Sequence, residues 1–383
     1  MNPRAAASLL LLATLACSDS TSPPIDPTTV QEVDLGPPTT VPLLAASTER
    51  IYTLRGTDPT SVEVEARRFS GTQRWKKKIT SCQEFCFLAV DAEDNVYYTT
   101  ALDVTSVTGS NGAVRWQAEV RGAIIALGSG GRVYVASRPF AVPQRSYAIN
   151  AANGEIIWST SLLPTLDATA LLVDESRGFL YAVGRGLVSV INLQIGGVIR
   201  TSKDSCFGGS QGAIAEDGTV YVTCDNSASS RLTAYGPGGI FKWTTMLNSS
   251  NGSSAPVIDA SGTIYVSNRS SLTALNPSGT ILWQLGELTG NVVSPAVGSN
   301  KDVYIQASHP SSPESSLLVV NNGTIVENKG PAAGCGHSFL LTTTGRIYCG
   351  SPGGFAWFQT SNVDLTSQWS QLGNDAQRGS RKR

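Results

Sequence analysis

The sequence predicts an all-β protein, a single eight-bladed β-propeller, because two markers recur in step along the chain at a blade-like period. The first is an aliphatic residue followed by tyrosine: Ile51-Tyr52, Val96-Tyr97, Val133-Tyr134, Leu180-Tyr181, Val220-Tyr221, Ile264-Tyr265, Val303-Tyr304 and Ile347-Tyr348. Successive tyrosines lie 45, 37, 47, 40, 44, 39 and 44 residues apart, a mean of about 42 that suits a unit of four short strands. The second marker is glycine, three residues, then tryptophan, at Gly71 to Trp75, Gly112 to Trp116, Gly154 to Trp158, Gly239 to Trp243 and Gly279 to Trp283. Two further units keep the glycine and lose the ring, ending at Arg200 after Gly196 and at Glu327 after Gly323.

Each unit reads as strands and tight turns. Thr219 to Thr223 and Thr263 to Ser267 alternate apolar and polar residues with period two, as half-buried strands do. Gly131, Gly178, Gly218, Gly262 and Gly345 stand two or three residues before a marker tyrosine, where a hairpin needs positive φ. No stretch shows a helical stripe, and 38 Gly with 19 Pro fit a turn-rich chain. Such units bury both faces only by stacking radially, which leaves short edges. Eight of them fill residues 41–383.

The opening reads as an export signal. One basic residue, Arg4, precedes an apolar run from Ala5 to Ala16 that is too short to span a bilayer, so residues 1–16 are expected to be a signal peptide. Thr14-Leu15-Ala16-Cys17 resembles the bacterial lipobox, which implies that Cys17 is the lipid-bearing mature N-terminus. Residues 17–40, rich in Pro, Ser and Thr, are expected to be a flexible tether. Six cysteines remain in an exported chain, where disulfides persist. Proximity in sequence pairs Cys82 with Cys86, Cys206 with Cys224 and Cys335 with Cys349, out of fifteen possible connectivities. A zinc site at Cys82 and Cys86 would need two more ligands nearby, and the sequence offers none.

The segment Ala148-Ile-Asn150-Ala-Ala-Asn153-Gly154-Glu155-Ile-Ile-Trp158 resembles the tryptophan-docking motif of quinoprotein (PQQ) propellers. Ala234 to Trp243 and Ala274 to Trp283 look like the same motif one residue shorter. The resemblance implies that Trp75, Trp116, Trp158, Trp243 and Trp283 each pack against the neighbouring blade. It also implies that the last stretch, Trp369 to Gly379, flanks the propeller and helps to close the ring. WD40 and kelch signatures do not recur.

Chemistry-bearing residues are few. The net charge of -1 lacks the footprint of a general nucleic-acid binder, and two histidines, His309 and His337, are too few for a multi-histidine metal centre. Gly208-Gly-Ser210-Gln-Gly212 fits G-x-S-x-G but stands in a glycine-rich connection before a strand, not in the strand-turn-helix setting of a nucleophile elbow. The basic runs Arg74 to Lys78 and Arg378 to Arg383 read as solvated edges. PQQ dehydrogenases of this fold use adjacent cysteines, and this chain has no Cys-Cys pair. The resemblance therefore implies a non-catalytic branch without cofactor, catalytic residues or metal, similar to the BamB lipoprotein family of β-barrel assembly. The expectation is a monomeric scaffold that binds outer-membrane or periplasmic proteins through loops at one face. It would sit on the outer membrane facing the periplasm, or on the cell surface. The alternative is a carbohydrate-active or degenerate quinoprotein propeller.

Overall fold

The computed structural model describes residues 31–34 and 43–359, apart from 59–60, 81–85, 101, 138–142, 164–165, 204–209, 227–228, 248–251, 291–293, 299, 332–338, 343–345 and 352–353. An early strand, β1 (Gln31–Asp34), precedes the blades. Blade 1 is β2 (Leu43–Ala46), β3 (Arg50–Asp58), β4 (Ser61–Arg68) and β5 (Gln73–Thr80), and blade 2 is β6 (Leu88–Val90), β7 (Asn95–Thr99), β8 (Val104–Thr108) and β9 (Val114–Ala118). Blade 3 is β10 (Gly122–Leu127), β11 (Arg132–Ser137), β12 (Arg145–Asn150) and β13 (Ile156–Ser161). Blade 4 is β14 (Ala170–Asp174), β15 (Phe179–Gly184), β16 (Leu187–Asn192) and β17 (Val198–Lys203). Blade 5 is β18 (Ser210–Ile214), β19 (Val220–Asn226), β20 (Ser229–Gly236) and β21 (Ile240–Leu247). Blade 6 is β22 (Val257–Ile258), β23 (Ile264–Ser267), β24 (Leu272–Leu275) and β25 (Ile281–Leu285). Blade 7 is β26 (Ala296–Val297), β27 (Val303–His309), β28 (Ser312–Asn321) and β29 (Thr324–Pro331). Blade 8 contributes only β30 (Leu340–Leu341), β31 (Arg346–Ser351) and β32 (Gly354–Gln359) from its own stretch of chain.

All eight sheets are four-stranded and antiparallel, and in blades 1–7 the strands follow chain order from the axis outward. First strands of neighbouring blades touch one another around the axis. The eight marker tyrosines lie on second strands and the seven marker glycines in the turns between third and fourth strands. The counts differ by one because blade 8 takes its fourth strand from elsewhere. There β1 pairs antiparallel with β32, from Gln31 opposite Trp357 to Asp34 opposite Gly354. This corrects the expectation of a flexible tether through residue 40. Without β1, the edge of β32 would leave a row of backbone donors and acceptors unpaired, and a short extended segment supplies their partners. The stretch from Trp369 to Gly379 lies outside the described residues.

Hydrophobic clusters span the seams between blades. One joins blades 4, 5 and 6 through Val188, Tyr221 and Ile264, and a smaller one joins blades 8 and 1 through Leu340, Tyr348 and Ile51. In blades 1–7 the register shifts between the third and fourth strands just after the turn, so that one residue bulges out ahead of the tryptophan position. The bulge residues are Arg74, Arg115, Ile157, Ile199, Lys242, Leu282 and Val326. A bulge on an outermost strand bends it away from flat pairing with another edge.

Candidate functional site

The aromatic markers form one structural device repeated around the ring. Tyr134 of β11, Ala148 of β12 and Trp158 of β13 stand opposite one another across the blade, and the small central residue lets the two rings meet above it at 6.1 Å. The same row occurs as Tyr52-Ala66-Trp75, Tyr97-Ser106-Trp116, Tyr221-Ala234-Trp243 and Tyr265-Ala274-Trp283. Where the tryptophan is lost, the middle residue grows to valine, as in Tyr181-Val190-Arg200 and Tyr304-Val319-Glu327. In blade 8 tryptophan moves one strand inward, to Trp357 beside Tyr348, and the Arg346 guanidinium stacks over it at 4.2 Å.

Each tryptophan also reaches the next blade. The indole N–H of Trp75 donates to the carbonyl of Gly109 at 2.6 Å, that of Trp116 to Ala151 at 2.8 Å, that of Trp158 to Leu193 at 3.1 Å and that of Trp243 to Pro277 at 3.0 Å. Beneath the rings lie the marker glycines of the following blade, Gly112, Gly154, Gly196, Gly279 and Gly323, all at positive φ. Trp116 and Trp158 are buried, whereas Trp75, Trp243 and Trp283 are half-buried. Burial raises the tyrosine phenols, Tyr181 and Tyr221 to about 12, and for Tyr97 and Tyr265 a neighbouring aspartate adds to the rise. These hydroxyls stay neutral near pH 7.

Acids on the face of the disc that carries the first-to-second-strand turns are committed to holding those turns. Asp91 accepts from the backbone of Glu93 and Asn95, the Asn95 amide and the Tyr97 hydroxyl. Asp259 accepts from the backbone of Ser261 and Thr263, the Ser261 hydroxyl and the Tyr265 hydroxyl. A cleft of about 760 Å³ opens between blades 2 and 3, lined by Asp91, Glu93, Arg115, Gly128 to Arg132 and Ala151. Both arginines bridge blades: Arg115 donates to the Ala151 carbonyl at 3.2 Å and Arg132 to that of Leu193 at 2.8 Å. The Ser129 N–H and hydroxyl both donate to the Glu175 carboxylate from blade 4. Asp91, Arg115, Ser129 and Arg132 of this cleft thus already have protein partners.

Cys86, Cys224 and Cys349 are buried, while Cys17, Cys82, Cys206 and Cys335 lie outside the described residues. Ser210 opens β18 opposite Cys224, in a strand and not at an elbow. His309 is half-buried, with Nδ1 2.8 Å from the Ser311 hydroxyl, and His337 lies outside the described residues. Among the described residues no group of three or more His, Cys, Asp or Glu is placed to hold a metal.

The sequence reading missed the rim. On the outermost strands of four consecutive blades, two successive apolar residues point to solvent: Ile156 and Ile157, Val198 and Ile199, Ile240 and Phe241, Ile281 and Leu282. Phe241 is 61% exposed. Their signal was present as apolar residues just ahead of the tryptophan position, but periodicity alone reads them as core.

Fold and site together define an eight-bladed propeller of PQQ-like repeats with a built-in strand closure. The family model described as "Outer membrane protein assembly factor BamB" matches residues 100–198, and the chain is similar to that family. BamB from Moraxella catarrhalis superposes with a TM-score of 0.63 at 14% identity, covering 83% of this chain and 96% of that one. The Dos1 propeller gives 0.65 at 8% identity over 86% and 94%, and a streptogramin B lyase 0.54 at 9% identity over 86% and 96%. These likenesses show the fold, which the last of them uses for an enzyme. No curated protein matches the chain.

Proposed function

We propose that the protein is a non-enzymatic, membrane-tethered scaffold that binds protein partners, BamB-like in role, at the periplasmic side of the outer membrane or at the cell surface. The observation that carries this reading is the apolar rim of blades 3–6, since large apolar side chains exposed in pairs on four successive outermost strands are surface of the kind that docks a partner. The acids Asp91, Asp259 and Glu175 support it, because each is tied into its own hairpin or a neighbouring blade. The rim strands, not only the face loops, then form the binding surface. Cys17 carries the acyl anchor in this reading, and the propeller acts as a monomer.

The test is cross-linking in the native membrane with wild type and Phe241→Ser. An outer-membrane or periplasmic protein recovered with wild type, and at least tenfold less with the variant, supports the scaffold. Calorimetry with PQQ and calcium is the counter-test: a saturable rise in Tm together with dye reduction would replace the scaffold by a quinoprotein. Intact mass of the mature protein, starting at acylated Cys17, checks the anchor.

The three pairings Cys82 with Cys86, Cys206 with Cys224 and Cys335 with Cys349 belong to the same reading, because stapled connectors suit an exported protein. Closing the Cys206 to Cys224 loop is expected to contribute about 3 kcal/mol. Non-reducing peptide mapping should recover these three local pairs and no free thiol, and a distant pairing would overturn the assignment.

A further inference from the structure

Charge is unevenly spread around the ring. Residues 43–80, which make blade 1, carry eight Lys and Arg against four Asp and Glu, whereas residues 81–359, the other seven blades, carry 15 against 19. Blade 1 is therefore a cationic pole at +4 and the rest of the ring is anionic at −4. Geometry sharpens the contrast. Glu65 is 2% exposed and held by Arg67 at 2.8 Å, and Glu63 is tied to Arg55 and to Lys76, both at 3.5 Å. The carboxylates of β4 are drawn inward, while Arg74, Lys76 and Lys78 are exposed on the outermost strand, β5, and Arg68 is exposed at the end of β4. At the place of Arg74 the outermost strands of blades 3, 4 and 6 present Ile157, Ile199 and Leu282.

Position along the ring gives this edge its meaning. Blade 1 adjoins blade 8, whose outermost strand is β1, the first described segment of the chain. Thirteen residues separate Cys17 from Gln31. Their length bounds that span at about 45 Å. A leash of that length limits distance and leaves orientation open. Exposed charges act over a Debye length of about 8 Å at physiological salt, so only an edge already held near the surface feels it. The edge next to the leash is the cationic one, although β1 adds Glu32 and Asp34 beside it.

We infer that the outer edge of blade 1, through Arg68, Arg74, Lys76 and Lys78, rests on a membrane surface rich in anionic phospholipid and so sets the disc on edge, with the apolar rim of blades 3–6 turned away from the bilayer. This rests on the anchoring reading of Cys17. Each Lys or Arg near an anionic surface strengthens contact about fivefold.

The test is lysine acetylation of the mature protein on vesicles of phosphatidylcholine alone and on vesicles one-third phosphatidylglycerol. Lys76 and Lys78 should react about fivefold more slowly on the anionic vesicles, Lys242 and Lys301 should react equally on both, and about 0.5 M salt should erase the difference. In the variant Arg74→Gln/Lys76→Gln, the protection of Lys78 should fall to the neutral-vesicle level. Equal rates on both vesicles overturn the proposal, as does protection of Lys242 and Lys301 instead. Protection of Lys76 by an added membrane protein in detergent, with none from lipid, overturns it in favour of a protein partner. Intact mass on the same sample separates the two readings: an unacylated protein with anionic-specific protection fails the anchor and keeps the basic edge, and an acylated one without protection does the reverse.

Discussion

Trp158→Ala is expected to lower stability by about 3 to 5 kcal/mol, read as a shift in denaturation midpoint. The ring is 8% exposed, lies 6.1 Å from Tyr134, donates to the Leu193 carbonyl and covers Gly196 of blade 4, so truncation opens a cavity within one blade and across a seam. Arg200, at the same place in blade 4, is exposed beside Val190, and Arg200→Ala should stay within about 0.5 kcal/mol. Trp283→Ala should fall between them. That ring is half-buried, and its glycine, Gly323, sits farther away, with an added Cβ at 3.3 Å against 2.6 Å for Gly196 over Trp158. Equal shifts for Trp158→Ala and Arg200→Ala would disprove the repeat assignment.

The second large effect is expected at Gly154, where φ is +81° and a Cβ would stand 2.9 Å from the six-membered ring of Trp116. That indole is fixed by its own bond to Ala151, so it cannot yield freely. Gly154→Ala should cost about 1 to 2 kcal/mol for the left-handed backbone and a further 1 to 3 kcal/mol for overpacking. Gly131→Ala isolates the first part, since its φ is +67° and a Cβ there would meet nothing within 4 Å. Thermal unfolding of the two variants should differ by the packing cost alone. If they match, the glycines serve turn geometry and not ring contact.

Most of the fold was legible because a period of two within strands and of about 42 between them are local properties, repeated often enough to stand out. Tyrosine markers placed second strands correctly, and glycine markers placed turns correctly, apart from Gly345, which lies outside the described residues. What escaped was anything set by contact across the ring. Gln31 to Asp34 is four residues with no marker of its own, and only the missing fourth strand of blade 8, three hundred residues away, identifies it as a strand. The valines at 190 and 319 that accompany loss of tryptophan were visible, but they acquire meaning only once register puts them opposite Arg200 and Glu327. Likewise Ile156 and Phe241 look like core in sequence and lie at an edge in space. Acids such as Asp91 and Asp259 would serve a catalytic reading equally well until their hydrogen bonds show them spent on turns.

The strand that closes the ring also dictates an order of events during synthesis. β1 is made before any blade, and its partner β32 is made after all of them, so this pairing has the greatest sequence separation of any strand pairing among the described residues. Contacts of that kind form late and slowly, because chain entropy must be lost before they stabilise anything. Blades 1–7 can assemble from their own hairpins as they emerge, but the ring must wait as an open arc with two exposed seams. On the proposed reading of an exported chain, the arc cannot shut until β32 has crossed. The interval before closure is when it is most exposed to misassociation through those seams.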